Sequence, residues 1–317
     1  MKETNAVVTG GAGFIGSLLV DRLLADGKSV VVIDDLSTGN LSNLERAREQ
    51  GGNNFKFESL DVRSAVTTEL IADLKPEAVF HLAAQVDLRH SVDDPLLDAE
   101  INILGTLRVL EGARRCATKK VVVAASGGTL YGDQEHAHLP FKESLEPKPQ
   151  SPYGISKATT MSYLSAYQEL YGLDGTALAL ANVYGPRQDP HGEAGVVAIF
   201  AGQLLEKTES TIFGTGEQTR DFVYVQDVVE AFIKASEVEK MDFCNIGTGI
   251  ETSVNELYET MASLLNNASE PNYLPSRSGE IERSALDPTY AQSSLGWVST
   301  TSLSDGLSKT IEWFKEN

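Results

Sequence analysis

Tyr153 and Lys157 are the residues of this chain with the most chemistry to offer. They stand four apart, so on a helix they share a face and their polar ends converge. Ser151 suits an N-cap and Pro152 the first helical position, so Ser151-Pro152-Tyr153-Gly154-Ile155-Ser156-Lys157 predicts a helix start. A phenol is a poor base near neutrality, with an ordinary pKa of about 10. An ammonium one turn away favours the phenolate, so the spacing predicts a lowered Tyr153 pKa and proton abstraction from a substrate hydroxyl. A bare Tyr-x-x-x-Lys is commonplace, and its meaning depends on the elements around it.

Those elements begin at the N-terminus. Ala6-Val7-Val8-Thr9 reads as a short strand running directly into Gly10-Gly11-Ala12-Gly13-Phe14-Ile15-Gly16, and a helical pattern continues through Leu18, Leu19, Leu23 and Leu24. Strand, glycine turn and helix form a dinucleotide-binding pattern, with the pyrophosphate at the helix N-terminus and Gly16 letting helix and sheet approach. The next strand ends in Asp34-Asp35, where a carboxylate would take adenosine ribose hydroxyls and repel a 2′-phosphate. NAD is therefore expected over NADP. A third strand ends in Asp61-Val62, with Asp61 placed to meet the adenine. A fourth, 78–82, runs from His81 and Leu82 into Ala83-Ala84-Gln85, small enough for close cofactor approach. A long helix is expected over 96–116, carrying Asn102, and a fifth strand over 120–125. This alternation predicts an α/β fold, a Rossmann-type doubly wound parallel sheet with ligands at the carboxyl ends of its strands.

Composition narrows the classes. The 317 residues carry 26 basic and 45 acidic side chains, a formal charge of −19. Such a surface repels phosphate backbones and anionic lipid, so neither nucleic acid nor membrane is an expected partner. No apolar run approaches a membrane span, and the chain enters a strand almost at once, as expected without a signal peptide. Cys116 and Cys244 have no motif around them and predict a reducing, cytoplasmic setting. His136 and His138 lack partners at metal spacing, and no metal site is expected.

Taken together, the glycine motif, Asp34, Asn102 and Tyr153/Lys157 resemble the extended short-chain dehydrogenase/reductases, over nearly the whole chain. Within that group the similarity is greatest to the UDP-glucose (UDP-galactose) 4-epimerases, at Leu82-Ala83-Ala84-Gln85, Asn182-Val183-Tyr184-Gly185-Pro186-Arg187, residues 214–225 and Arg277-Ser278-Gly279-Glu280. One stretch separates reactions. Ser126-Gly127-Gly128-Thr129-Leu130-Tyr131-Gly132 lies where related dehydratases and decarboxylating synthases carry Asp-Glu or Ser-Glu. Gly127 and Gly128 have no proton-transfer group, which argues for epimerisation over elimination. Many epimerases place their catalytic hydroxyl where Gly127 stands; Ser126 resembles the hydroxyl of a Gly-Gly-containing subset, with Thr129 in reserve.

The resemblance implies a division into an NAD-binding domain over 1–181, re-entered at about 222–247, and a smaller C-terminal α/β lobe, 182–317, that holds a UDP-sugar. It implies that Asn182 contacts substrate phosphate, Val183 lies near the nicotinamide and Val196 covers the nucleotide. Phe213 would pack on uracil, Arg220 and Arg277 would clamp the diphosphate, and Glu280 would take the uridine ribose. Two guanidiniums are well suited to hold a pyrophosphate inside an acidic shell. Ser284, five past Gly279, would border the sugar pocket and leave room for an N-acetyl group. A homodimer packed through the 96–116 and Tyr153 helices is implied as well. Alternatives are a UDP-glucuronate or UDP-N-acetylglucosamine 4-epimerase, or a non-catalytic NAD-binding regulator.

Overall fold

The computed structural model describes residues 4–135, 138–191, 195–267, 269–276 and 281–317. Its first strands, β1 (Ala6–Thr9) and β2 (Val30–Asp34), are buried along their whole length. A strand covered on both faces shows a continuous apolar run and no alternation, which is what Val30-Val31-Val32-Ile33 displays. Between them runs α1 (Phe14–Ala25), and after them come α2 (Glu45–Gly51), β3 (Phe55–Ser59), α3 (Ala65–Leu74) and β4 (Ala78–His81). β3 is one edge of the sheet; its exposed Lys56 pairs with half-buried Glu58 at 2.6 Å, charge that discourages pairing with a further strand.

The chain continues through α4 (Leu88–Asp93), α5 (Pro95–Ala99), α6 (Thr106–Arg115), β5 (Lys120–Ser126), α7 (Gly127–Leu130), α8 (Pro152–Tyr171) and β6 (Gly175–Leu180). The helix expected over 96–116 is thus interrupted: Glu100–Gly105 forms a π-helical turn between α5 and α6. Beyond β6 lie β7 (Asn182–Tyr184), α9 (Val196–Glu206), β8 (Thr211–Phe213), β9 (Thr219–Arg220), β10 (Phe222–Tyr224), α10 (Val225–Glu237) and β11 (Phe243–Ile246). β12 (Thr252–Ser253), α11 (Val254–Leu264), β13 (Asn272–Leu274), α12 (Thr289–Leu295) and α13 (Leu303–Glu316) complete it.

Seven strands form the central sheet, in the order β11-β6-β5-β4-β1-β2-β3. The pairings of β1 with β2 and β4, of β2 with β3 and of β4 with β5 are parallel; Val7 faces Val31 on one side and Val79 on the other. Strand order reverses beside β1, the switch point at which doubly wound sheets bind ligands. Val7, Val31, Ile33, Val79, Val121 and Ala177 of the sheet pack with Ile71, Val109, Leu110 and Leu164 of the helices in one buried core.

The chain divides into two compact units. The first comprises Met1–Leu130, Pro149–Ala179 and Val229–Cys244; the second comprises Tyr131–Lys148, Leu180–Val228 and Asn245–Asn317. Residues 132–149, with their prolines and charges, read as a surface excursion, but Phe141 among them is interior to the second unit, as is the preceding Tyr131. Tyr131 and Phe141 are each 1% exposed, Phe141 bridges to Leu286, and the Tyr131 hydroxyl donates to Asn245 Oδ1 at 2.9 Å. In that unit β7 pairs with β10, β9 with β12 and β8 with β13 as two-stranded ladders flanked by α9, α11 and α13.

Candidate active site

The first unit gathers its candidate residues at the carboxyl ends of β1, β2, β4 and β5. α8 starts at the predicted place. The Ser151 side chain accepts from the Gly154 N–H at 3.1 Å, Pro152 occupies the first helical position, and left-handed Gly172 closes the helix (φ 69°). The N–H of Tyr153 donates to Ser91 Oγ at 3.2 Å. Ser91 is fully buried, its own hydroxyl donating to the Leu88 carbonyl at 2.6 Å. The sequence gives no signal for this second cap, which lies 62 residues away.

Tyr153 is half-buried and Lys157 is 6% exposed. The Lys157 ammonium lies 5.8 Å from the centroid of the Tyr153 ring and donates to the Ala124 carbonyl of β5 at 3.0 Å. Ser126, at the end of β5, presents its hydroxyl to the Tyr153 phenol and favours its ionised form. Thr129 directs its hydroxyl to the Ser126 carbonyl at 3.5 Å, within its own short helix. Of the two candidate hydroxyls, Ser126 is therefore the one that acts on the phenol.

The electrostatics correct one expectation. The protein alone does not lower the phenol: burial pushes Tyr153 up to about 12, Ser126 pulling it back and the Asp98 carboxylate adding to the rise. Burial also carries Lys157 down to about 8, against the support of Asp98. Burial is the larger effect, so the geometry brings base and ammonium together without itself forming a phenolate.

Beneath the pair lies a chain of buried hydroxyls around His81, which is 3% exposed. Thr106 gives its only hydroxyl proton to the Asn102 carbonyl at 2.6 Å, so at 2.9 Å from His81 Nε2 it must accept. His81 then carries its proton on Nε2, and Nδ1 accepts from Thr9 Oγ1 at 2.6 Å. Burial, with the nearby Lys157 charge, drives the imidazole down to about 3, so it is neutral and structural. Asn102, in the π-helical turn, accepts from the Gln85 N–H and donates to the Gln85 carbonyl, each at 3.0 Å. It thereby fixes the segment after β4.

Residues that could hold a dinucleotide are preorganised. Gly13 caps α1 in extended conformation with no side-chain bond, leaving the first-turn N–H groups of Phe14, Ile15 and Gly16 for an anion. A Cβ on Gly10 (φ +70°) would stand 2.5 Å from the Ala83 nitrogen, and one on Gly16 2.1 Å from the Gly10 carbonyl. The loop is thus drawn as tight as a pyrophosphate cradle requires, and the residues fit the group. Asp34, 7% exposed, accepts from the N–H groups of Ala12 and Leu36, both at 2.9 Å, tying the cradle to the end of β2. Asp35 is exposed and accepts from Ser37. The Asp61 carboxylate is engaged by the Arg63 guanidinium at 2.6 Å, which holds it below the usual carboxylate range. Val62 is buried, and Leu82, Ala83 and Ala84 are half-buried, the Leu82 N–H donating to the Thr9 carbonyl at 3.0 Å. Among the described residues no cluster of three His, Cys, Asp or Glu could hold a metal ion.

In the second unit the candidates cluster around Asp221, 1% exposed. Its carboxylate accepts from the Thr248 N–H and hydroxyl, the Gly249 N–H and the Leu286 N–H, at 2.6–3.1 Å. Its carbonyl takes the Asn182 N–H at 2.9 Å. Asp221 thus fixes the strands bearing Asn182, Val183 and Arg220 and the segment bearing Ser284, a function the sequence reading did not give it. Burial still outweighs these bonds and raises its pKa. Asn182, Val183, Val196, Phe213 and Arg220 are half-buried, Arg220 donating to the Thr219 carbonyl at 2.8 Å. Ser284 is 5% exposed, and its neighbour Arg283 is held by Glu251 at 2.5 Å. Arg277, Gly279 and Glu280, like His136, lie outside the described residues.

The chain as a whole is similar to known proteins. Residues 7–310 match the family model described as GDP-mannose 4,6 dehydratase. The UDP-glucose 4-epimerase of Mycolicibacterium smegmatis is 48% identical over 98% of each chain. A UDP-glucose 4-epimerase from Thermotoga maritima, solved with UDP-glucose, superposes with a TM-score of 0.94 at 44% identity, covering 99% of both chains. The UDP-glucose 4-epimerase of Thermus thermophilus, solved with NAD, gives 0.90 at 38% identity, covering 98% of this chain and 99% of that one.

Proposed function

This chain belongs to the extended short-chain dehydrogenase/reductases, and from that premise we propose that it is an NAD-dependent enzyme inverting C4 of UDP-hexoses, interconverting UDP-glucose and UDP-galactose. The observation that carries this reading is the gathering of Tyr153, Lys157 and Ser126 at the end of β5, followed by Gly127-Gly128, where elimination would need a further acid and base. NAD supplies, when bound, reversible hydride acceptance and the positive charge of an oxidised nicotinamide. Tyr153 takes the C4 hydroxyl proton, directly or through Ser126, when the alcohol is oxidised, and gives it back to the C4 oxygen when the 4-keto sugar is reduced from its opposite face. Lys157 holds the nicotinamide ribose and adds cationic charge that favours the phenolate.

Backbone N–H groups at Gly13–Gly16 take the pyrophosphate, Asp34 the adenosine ribose, and Asp61 and Val62 the adenine. Ala83, Ala84, Asn102 and Val183 border the nicotinamide half. Asn182, Arg220 and Arg277 hold the UDP diphosphate, Phe213 and Val196 cover the nucleotide, and Glu280 takes the uridine ribose. Binding energy is thus concentrated on the UDP, away from the reacting carbon, so the sugar can turn over between the two hydride transfers.

Ser284 favours a broader substrate range. It is small and buried, which suits a sugar pocket open to UDP-N-acetylhexosamines as well. Ser284→Tyr should lower the UDP-N-acetylgalactosamine to UDP-galactose rate ratio at least tenfold; an unchanged ratio refutes this assignment. A homodimer is supported by exposed Val92, Leu96, Leu104, Ile155 and Tyr163 on α4, α5, the π turn and α8, an apolar surface that a second copy would cover. No helix among the described residues is long and apolar enough to cross a membrane, and the free thiols of Cys116 and Cys244 suit the cytoplasm.

The test is to mix purified protein, without added cofactor, with UDP-galactose and separately with UDP-N-acetylgalactosamine, and to follow products by chromatography. C4 epimers are expected. No product even after NAD⁺ is supplied would overturn the proposal and favour a non-catalytic NAD-binding regulator.

A further inference from the structure

Asp98 is a fully buried carboxylate with no part in the chemistry described above. It belongs to α5, and its two oxygens point in different directions. Oδ2 accepts from the Ser156 hydroxyl of α8 at 2.6 Å, and Oδ1 accepts from Asn102 Nδ2 of the π-helical turn at 2.9 Å. Asn102 spends its remaining amide proton and its carbonyl oxygen on Gln85, so the amide is held at both ends. Ser156 sits between Tyr153 and Lys157 on the inward face of α8. One carboxylate thus joins the helix carrying the base to the segment following β4.

We propose that Asp98 is a positioning residue for the Tyr153–Lys157 pair: through Ser156, the residue next to Lys157, it sets the register of α8 and stands as the counter-ion to the Lys157 ammonium. The charge is worth supplying because few others face this place. On α8 the facing groups are Tyr153 and Lys157 themselves, and on β4 the neutral His81. Arg89, His90 and Asp93 of α4 are exposed, and Glu100 of the π turn is exposed and paired with Arg63. A hydrogen-bonded carboxylate in a poorly polarisable interior acts on neighbours much more strongly than one in water. Its field opposes loss of the lysine proton, against the burial that promotes that loss, and opposes phenolate formation, adding to the burial that already does so.

The inference rests on the epimerase reading for its kinetic test and is independent of it for the second. Asp98→Asn preserves shape and removes the charge. Both limbs of the kcat–pH profile should move acidward together by half a unit or more, while KM for the UDP-sugar changes less than twofold. A purely structural role would lower kcat or thermal stability and leave both limbs in place, and that result overturns the proposal. The second measurement needs no turnover. Unfolding free energy is measured between pH 7 and 10.5 for wild type, Asp98→Asn, Lys157→Met and the double variant. The stability gain assigned to Lys157 deprotonation, which begins near pH 8 in wild type, should begin at lower pH once Asp98 is neutral. An unmoved onset refutes the counter-ion role even in an inactive protein, whereas failure of epimerisation with a shifted onset refutes only the epimerase reading. Should Asp98→Asn not fold, Ser156→Ala keeps the charge and cuts its link to α8. It should lower kcat at least threefold with the limbs unmoved; unchanged kcat overturns the positioning role.

Discussion

The strand-end site of the first unit and the Asp221 node of the second are both organised by buried polar groups, yet they are built differently. In the first, most candidate residues are placed by short-range rules: a glycine turn after a strand, a serine cap before Pro152, an aspartate at a strand end. In the second, one carboxylate collects donors from residues 248, 249 and 286, and the only local relation is its place beside Arg220. A site held by local rules tolerates change elsewhere in the chain. One held by long-range bonds fails as a whole when its node is altered.

The largest effect should come from the local site. Tyr153→Phe removes the proton acceptor and leaves the helix start, Ser91 and Lys157 unchanged. Turnover should fall by about 10²–10⁴-fold, with bound NAD and the melting temperature little altered. Activity within a factor of three of wild type would break the assignment. Asp221→Asn should instead act on the fold. Either orientation of the amide turns an NH₂ toward groups that now donate, at a cost of about 2–3 kcal/mol. Calorimetry should show a melting temperature lower by about 5–10 °C, with KM for the UDP-sugar rising more than kcat falls. A variant as stable as wild type would show that the node does not hold the second unit together.

This contrast also explains what could be read beforehand. The glycine cradle, Asp34, the strand–helix alternation and the start of α8 follow from periodicity and capping, and the structure has them where the spacing put them. The π turn at Glu100–Gly105 was not legible, because no residue type marks a shifted hydrogen-bond ladder within a helical pattern. Nor was the interior role of Phe141, since a loop rich in prolines and charges hides one buried ring. The direction of the Tyr153 shift was misread for a related reason. Spacing reveals the neighbouring ammonium but not the burial, and burial is the larger effect.

His81 sharpens the comparison by a pH test within the first unit. Its pKa is carried down from the ordinary value of 6.5 to about 3. The unfolded chain therefore binds the proton more readily, and the stability that His81 contributes is complete above about pH 6.5 and lost as pH falls toward 3. His81→Gln cannot titrate. Its deficit against wild type should shrink by about 2–3 kcal/mol between pH 7 and pH 4.5, at roughly 1.4 kcal/mol per pH unit. Urea titrations at the two values measure it, and an equal deficit at both would mean that the buried imidazole takes up its proton without cost.

The smallest expected effect separates local from long-range placement on a single helix. Two serines serve the first turn of α8: Ser151, three residues from the N–H it caps, and Ser91, 62 residues from the N–H of Tyr153. Truncating a capping hydroxyl costs about 1 kcal/mol, and a buried orphan N–H costs at least as much. Ser91→Ala should therefore lower stability as much as Ser151→Ala, although only Ser151 is recognisable from its place before Pro152. Because Ser91 holds the backbone of the base itself, its loss should also reduce kcat more than Ser151→Ala does, by a few-fold. If Ser91→Ala were silent in both stability and kcat while Ser151→Ala was not, the base would owe its position to the local cap alone, and the first unit would be as local in its energetics as it is in its sequence.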